Sequence, residues 1–218
     1  MGRLAGQVEG MILASSRLPE ERIRTHAAAR PLVLINRDIE GIPRVLIDSG
    51  SGVGEAMEHL AGLGHATVAY VSGPANSWSN RQRRGAVRKA ADRLGLKHVV
   101  VPAALPSYEA GVAVAAAVLR SGATAAIAFD DVTAHGLLAG LAGRGVPVPG
   151  AFSVIGCDDV LGAATYPPLT TVSNRSPQAG KAALSLLMEV LASHSIRDVR
   201  YVLETHLVVR RTTATAPT

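Results

Sequence analysis

FSVIGCDDVLGAATYPPLTTVSN, residues 152 to 174, decides the fold. Its first six residues form an apolar run broken only by Ser153, and the run stops at two adjacent carboxylates, Asp158 and Asp159. A strand with one wet face alternates apolar and polar residues. A continuous apolar strand is covered on both faces, as in a parallel sheet flanked by helices. TAAIAFDDVTAHG, residues 124 to 136, has the same form and ends in Asp130 and Asp131.

Working outward, apolar runs at residues 8–14, 31–36, 44–48, 66–73 and 98–103 read as further strands, and 200–211 closes the chain with more. Between them lie segments with helical spacing at 19–30, 53–64, 81–94, 108–120, 132–144 and 177–192. Strands alternating with helices of this length make βαβ units and a parallel sheet. In open α/β sheets a ligand sits beyond the carboxyl ends of the strands, where both acid pairs fall.

The totals describe a globular chain. Of its 218 residues 48% are hydrophobic and 18% charged, enough for one large domain or two lobes with real cores. No apolar stretch approaches the roughly 20 residues a bilayer requires, and MGRLAGQVEG is no secretory signal. The single cysteine, Cys157, excludes an internal disulfide, fits a reducing cytoplasm and reads as a core residue. The net charge is +5, but the one basic cluster, Arg81 to Arg93, has no interleaved aromatics and reads as a solvated helix face rather than a nucleic-acid surface.

No catalytic motif appears. IDSGSGVGEA, residues 47–56, has glycines at 50, 52 and 54 but Glu at 55, so the dinucleotide fingerprint fails and the stretch reads as a flexible crossover into a helix. The adjacent aspartates of FDDVT point to opposite sides of a strand and do not share a metal readily. The seven histidines have no zinc spacing, and neither a Gly-x-Ser-x-Gly elbow nor a Walker lysine is present. The expectation is a protein without catalysis, metal or cofactor. Within each acid pair, Asp131 and Asp159 are expected to make local backbone bonds as helix or turn caps, leaving Asp130 and Asp158 to face a cleft with Arg83.

IPRVLIDSGSGVGEAMEHLAGLGHATVAYVSGP (42–74), SNRQRRGAVRKAADRLGL (79–96), TAAIAFDDVTAHGLLAGLAGRGVPVPGAFSVIGCDDVLGAATYPPLTTVSN (124–174) and the closing LETHLVVRRTT resemble the LacI/GalR family of transcriptional regulators. The resemblance covers nearly the whole chain. It implies two Rossmann-like lobes with parallel sheets flanked by helices, of the type I periplasmic-binding-protein form, with a small effector such as a sugar between them, and a cytoplasmic homodimer. It divides the chain into a first lobe of 1–48 with 173–203, a second of 49–172 with 204–213, and a tail of 214–218. The sequence contains no helix-turn-helix, and VEGMILA resembles the family's third strand. Hence the expectation of an incomplete first lobe with an exposed edge strand, whether from a fragment, a late-assigned start or a degenerate regulator. Operator DNA would be bound only through an N-terminal head.

By the same resemblance, effector contacts carry over to Arg83, Asp130, Asp158 and Asn174, with Ser79 and Trp78 nearby. Arg83 opens RRGAV, where Ala86 stands at the family's glycine and leaves Arg81 as the alternative register. Asp130 stands where the family has Asn, and Pro106 where it often has an aromatic. Two acids against one arginine favour an unphosphorylated polyol, whose hydroxyls donate to carboxylates and accept from a guanidinium. The alternative is a stand-alone sugar-binding protein of a transport system.

Overall fold

The computed structural model describes residues 8–103, 105–160, 162–193, 195 and 197–217. Met1 to Gln7 of the expected first lobe and Thr218 of the expected tail lie outside them. The chain folds as two compact units, one of Met1–Asp48, Ser77–Ser79 and Arg175–Leu203, the other of Ser49–Asn76, Asn80–Asn174 and Glu204–Thr218.

The first unit holds β1 (Met11–Ala14), α1 (Glu20–Ala29), β2 (Leu32–Ile35) and β3 (Arg44–Asp48). Later segments add α6 (Ser176–Ser193) and β9 (Arg200–Glu204). Its sheet has the order β1-β2-β3-β9, with β1, β2 and β3 parallel. Val33, Val45 and Ile47 pack against Ala179, Ala183 and Leu187 of α6; Leu32 and Leu34 pack on the other face with Ile23 of α1, Ile39 and Ile42. Both faces are thus covered, as the unbroken apolar runs require. Arg44, 5% exposed, joins the strands to the 197–200 segment through Asp38 at 2.5 Å and Asp198.

The second unit contains α2 (Ser49–Gly62), β4 (Thr67–Ser72), α3 (Trp78–Leu94, from Asn80 onward), β5 (Lys97–Pro102), α4 (Tyr108–Arg120) and β6 (Ala125–Ala128). It continues with α5 (Asp131–Ala142), β7 (Ser153–Asp158), β8 (Thr170–Ser173) and β10 (His206–Val208). The sheet order is β10-β8-β7-β6-β4-β5, parallel except for β10. Its strands alternate their side chains between two cores. Ala69, Val71, Ala126, Ala128 and Val154 meet α4 and α5, while Val68, Tyr70, Ala125, Ile127 and Ile155 meet α2 and α3.

One local expectation is corrected. The glycines at 50, 52 and 54 are not a flexible crossover; they lie inside α2, which begins directly after β3. Gly52 is there for proximity. A Cβ would come within 2.5 Å of Val172 and 2.7 Å of Thr205 Oγ1, and the Gly52 amide donates to that same hydroxyl at 2.9 Å.

The C-terminal segment is clasped by His65, 1% exposed. Its Nδ1 lies 2.8 Å from Thr124 Oγ1, and its Nε2 3.0 Å from Ser153 Oγ and 3.1 Å from the Ala214 carbonyl. Burial holds this imidazole below its usual pKa, so the neutral ring is the folded form.

Strand β1 pairs only with β2 among the described residues, and Ile12 on it is 38% exposed, whereas Val68 to Val71 of β4 are fully buried between β5 and β6. Hydrogen exchange should therefore be markedly faster at Met11 to Leu13 than at Val68 to Val71; equal protection in a monomeric sample would contradict it.

Candidate functional site

The carboxyl edge of the second unit's sheet gathers most of the residues singled out in the sequence. Strands β6, β7 and β8 deliver Phe129 with Asp130, Asp158, and Asn174 to neighbouring positions, because β7 is paired on one side with β6 and on the other with β8, where Asp158 faces Ser173. Helix α3 delivers Arg83. Its start is fixed by Asn80, whose Oδ1 accepts from the Tyr70 hydroxyl and the Gly73 amide at 3.0 Å each, and whose Nδ2 donates to the carbonyls of Gly73 and Pro74.

Arg83 is the centre of the group. It is 4% exposed, with Nη2 donating to Asp158 Oδ1 at 2.9 Å and Nη1 to the Phe129 carbonyl. Its guanidinium lies over the Phe129 ring, 5.1 Å from the centroid, a favourable position for a cation. Asn174, 6% exposed, donates Nδ2 to the same Asp158 oxygen. Two buried atoms of this cluster have no partner among the described residues: the donor Arg83 Nε and the acceptor Asn174 Oδ1. Leaving such groups unmatched costs about 1–3 kcal/mol each.

The backbone is also under tension here. Asp158 has a φ of 116° and Asp159 of 55°, in a region that side chains other than glycine rarely occupy. Such residues cost of order 1–3 kcal/mol each and persist where the surroundings over-determine them.

The division of labour within the acid pairs differs from expectation. Helix α5 begins at Asp131, one residue earlier than the spacing indicated, so Asp130 is its cap, accepting from the Thr133 amide at 2.7 Å. Asp131 is no local cap. Its carboxylate, 3% exposed, accepts from the Thr171 hydroxyl of β8 at 2.6 Å and from the Val160 amide at 3.1 Å. Asp159 makes a salt bridge with Arg210 at 2.7 Å instead of a backbone bond, and Arg210 also donates to the Leu169 carbonyl. Asp158 is the acid of the four that pairs with Arg83, at 2.9 Å. Trp78 and Ser79 open α3 and group with the first unit. Arg81, the alternative register, is exposed. Phe129 and Asn80 were not anticipated; the aromatic directly before the first acid pair was the available signal for Phe129.

Burial lifts the Asp158 carboxyl to about 6; Arg83 opposes the rise, and the neighbouring charges of Asp131 and Asp130 add to it. Burial likewise raises Asp131, against the bonds from Thr171 and Val160. The Cys157 thiol, wholly buried, is pushed by burial to about 12 and stays protonated. No cluster of three or more metal-ligating side chains occurs among the described residues.

The sign of the Asp158 shift sets its effect on stability. Between the ordinary aspartate value of 3.8 and about 6 the folded chain holds more proton on this carboxyl than the unfolded chain, so the group's contribution declines as pH rises through that window. Carbon-13 NMR should find the Asp158 carboxyl titrating near 6, and Arg83→Met should move the midpoint higher, since the guanidinium is what holds it down. A midpoint in the ordinary carboxylate range would refute this account of the site.

A family model described as periplasmic binding protein-like domain matches residues 57–213. An HTH-type transcriptional regulator from the aml 5' region of Streptomyces limosus is 35% identical over 206 residues, covering 90% of this chain and 58% of the relative. MalR, an HTH-type transcriptional regulator of Streptomyces coelicolor, is 33% identical over 206 residues, covering 90% and 59%. The chain thus spans somewhat under three fifths of these relatives. Among solved structures, a LacI family transcriptional regulator from Enterococcus faecium with bound ribose superposes with a TM-score of 0.90 at 26% identity, covering 99% of this chain and 83% of that one. With two α/β units, helices on both faces of each sheet and a family match over most of its length, the chain belongs to the periplasmic binding protein-like domain family, in the form carried by LacI-family transcriptional regulators.

Proposed function

We propose that the chain is the effector-binding core of a LacI-family regulator, and that Asp158, Arg83 and Asn174 receive a small neutral polyol, a sugar in the simplest case. The observation that carries this is the pair of unmatched buried atoms beside Asp158, one donor on Arg83 and one acceptor on Asn174. A hydroxyl satisfies both kinds at once, which a carboxylate or phosphate cannot. Asp130, whose cap bond occupies one oxygen, adds negative charge at the same edge and works against a phosphorylated ligand. The ribose-bound neighbour supports the sugar class, and relatives described as transcriptional regulators support a regulator over a transport protein. No described helix is long and apolar enough to cross a membrane.

In this reading Ser79 and Trp78 are further effector contacts, the chain works in the cytoplasm as a homodimer without catalysis, and operator DNA is bound through a separate head domain. Ligand binding shifts a two-state equilibrium that the dimer transmits to the head.

Isothermal titration calorimetry with ribose, glucose, maltose and cellobiose, and with glucose 6-phosphate as the anion, tests the proposal. At least one neutral sugar should bind and glucose 6-phosphate should not. Asp158→Ala should lose about 1.5–3 kcal/mol, roughly 10- to 150-fold in affinity, the range for bonds to a charged group. A chain that binds no neutral sugar, or an Asp158→Ala variant with parental affinity, defeats the proposal.

A further inference from the structure

We infer that Asp131 is a positioning residue of this site: its buried carboxylate braces the turn after β7 against β8 and so keeps Asp158 directed at Arg83. This rests on the reading of Asp158 and Arg83 as the ligand-receiving pair, and adds the group that holds the pair in register.

Three observations converge on Asp131. Its side chain reaches two different elements, taking the Thr171 hydroxyl from β8 and the Val160 amide from the turn, only two residues beyond Asp158. Strand β7 makes room for it. Gly156 pairs with Thr171, and a Cβ on Gly156 would fall 2.4 Å from Asp131 Oδ1. The turn it holds is the strained one, with both Asp158 and Asp159 at positive φ. Such a conformation needs to be held from outside, and the Val160 amide is the backbone handle by which Asp131 does so.

A structural explanation without positioning is weak. The capping of α5 belongs to Asp130, so Asp131 is not needed for the helix terminus. A carboxylate 3% exposed is costly to bury, and two neutral donors repay that poorly when an apolar residue could pack there instead. What the carboxylate provides is two acceptor oxygens at a fixed spacing, set between a strand and a turn. Arg210 holds the same turn from the other side through Asp159.

The test reads the site without any ligand. In the full 218-residue chain, exchange of the Arg83 Nε–H is followed by nitrogen-15 NMR in the parent, Asp131→Ala and Asp131→Asn. Alanine removes both bonds. Asparagine keeps them, because its oxygen accepts from the Val160 amide and its NH2 donates to the Thr171 hydroxyl oxygen. The Arg83 Nε–H should exchange at least about tenfold faster in Asp131→Ala than in the parent, and close to the parental rate in Asp131→Asn. Parental protection in the alanine variant overturns the inference. So does equal behaviour of the two variants, which would mean that charge rather than bracing matters. If Asp131→Ala does not fold by circular dichroism, Thr171→Val, which deletes one donor and leaves every charge in place, is read by the same criterion. A parent chain that binds no sugar would remove the ligand reading, whereas unchanged exchange removes the bracing role, so the two failures are distinct.

Discussion

A guanidinium that cannot give up its proton is buried at the carboxyl edge of the second unit, and the surrounding strand ends are arranged around that constraint. Arg83 needs acceptors, a counter-charge and a surface to lie on. The Phe129 carbonyl, the Asp158 carboxylate and the Phe129 ring supply them. Asp158, the last residue of β7, meets Arg83 from a backbone with φ of 116°, and the strained turn that follows is held by Asp131 and Arg210. Asn174, just past β8, completes the carboxylate's partners. The order of the sheet makes this possible: β7 lies between β6 and β8, so the groups that meet on Asp158 come from adjacent strand ends.

The fold was legible because a parallel sheet covered on both faces writes itself as unbroken apolar runs. Ala125 to Ala128 and Val154 to Cys157 are buried throughout, as strands covered by helices on both faces are. Element ends were less legible. The glycines before Val53 looked like a crossover because glycine weakens helices; the decisive fact, the close approach of Thr205 and Val172 to Gly52, is a contact across more than a hundred residues and leaves no local trace.

The acid pairs show how a one-residue shift alters a chemical assignment. With α5 beginning at Val132, Asp131 is the cap and Asp130 is released. With α5 beginning at Asp131, the roles move by one, Asp130 caps, and Asp131 turns inward to Thr171. Helix starts are the least certain part of any sequence reading, and capping depends on them directly. Asp159 failed as a cap for a different reason. The described residues after it form turns and bends up to β8 rather than a helix, so its carboxylate instead finds Arg210, more than fifty positions away. Arg83 and Asp158 were legible through the family resemblance. Their physical necessity, a buried cation and its counter-ion, appears only with the geometry.

The four acids at this edge hold four different electrostatic positions, although they come from two identical dipeptides. Asp130 sits at the N-terminus of α5 and accepts from the Thr133 amide. Asp131 lies deepest and is lifted by burial. Asp159 faces Arg210 at a partly open position. Asp158 shares Arg83 with no second strong donor of charge and is lifted to about 6, so near neutral pH it is ionised but poised close to protonation. Its side chain is 33% exposed, so this carboxylate is only partly screened from water and still has an open side on which a further hydrogen-bond donor can approach. Of the four acids, Asp158 thus combines a raised pKa, a buried cationic partner and an open side, and that combination is why the proposed reading assigns the hydroxyl contact to it.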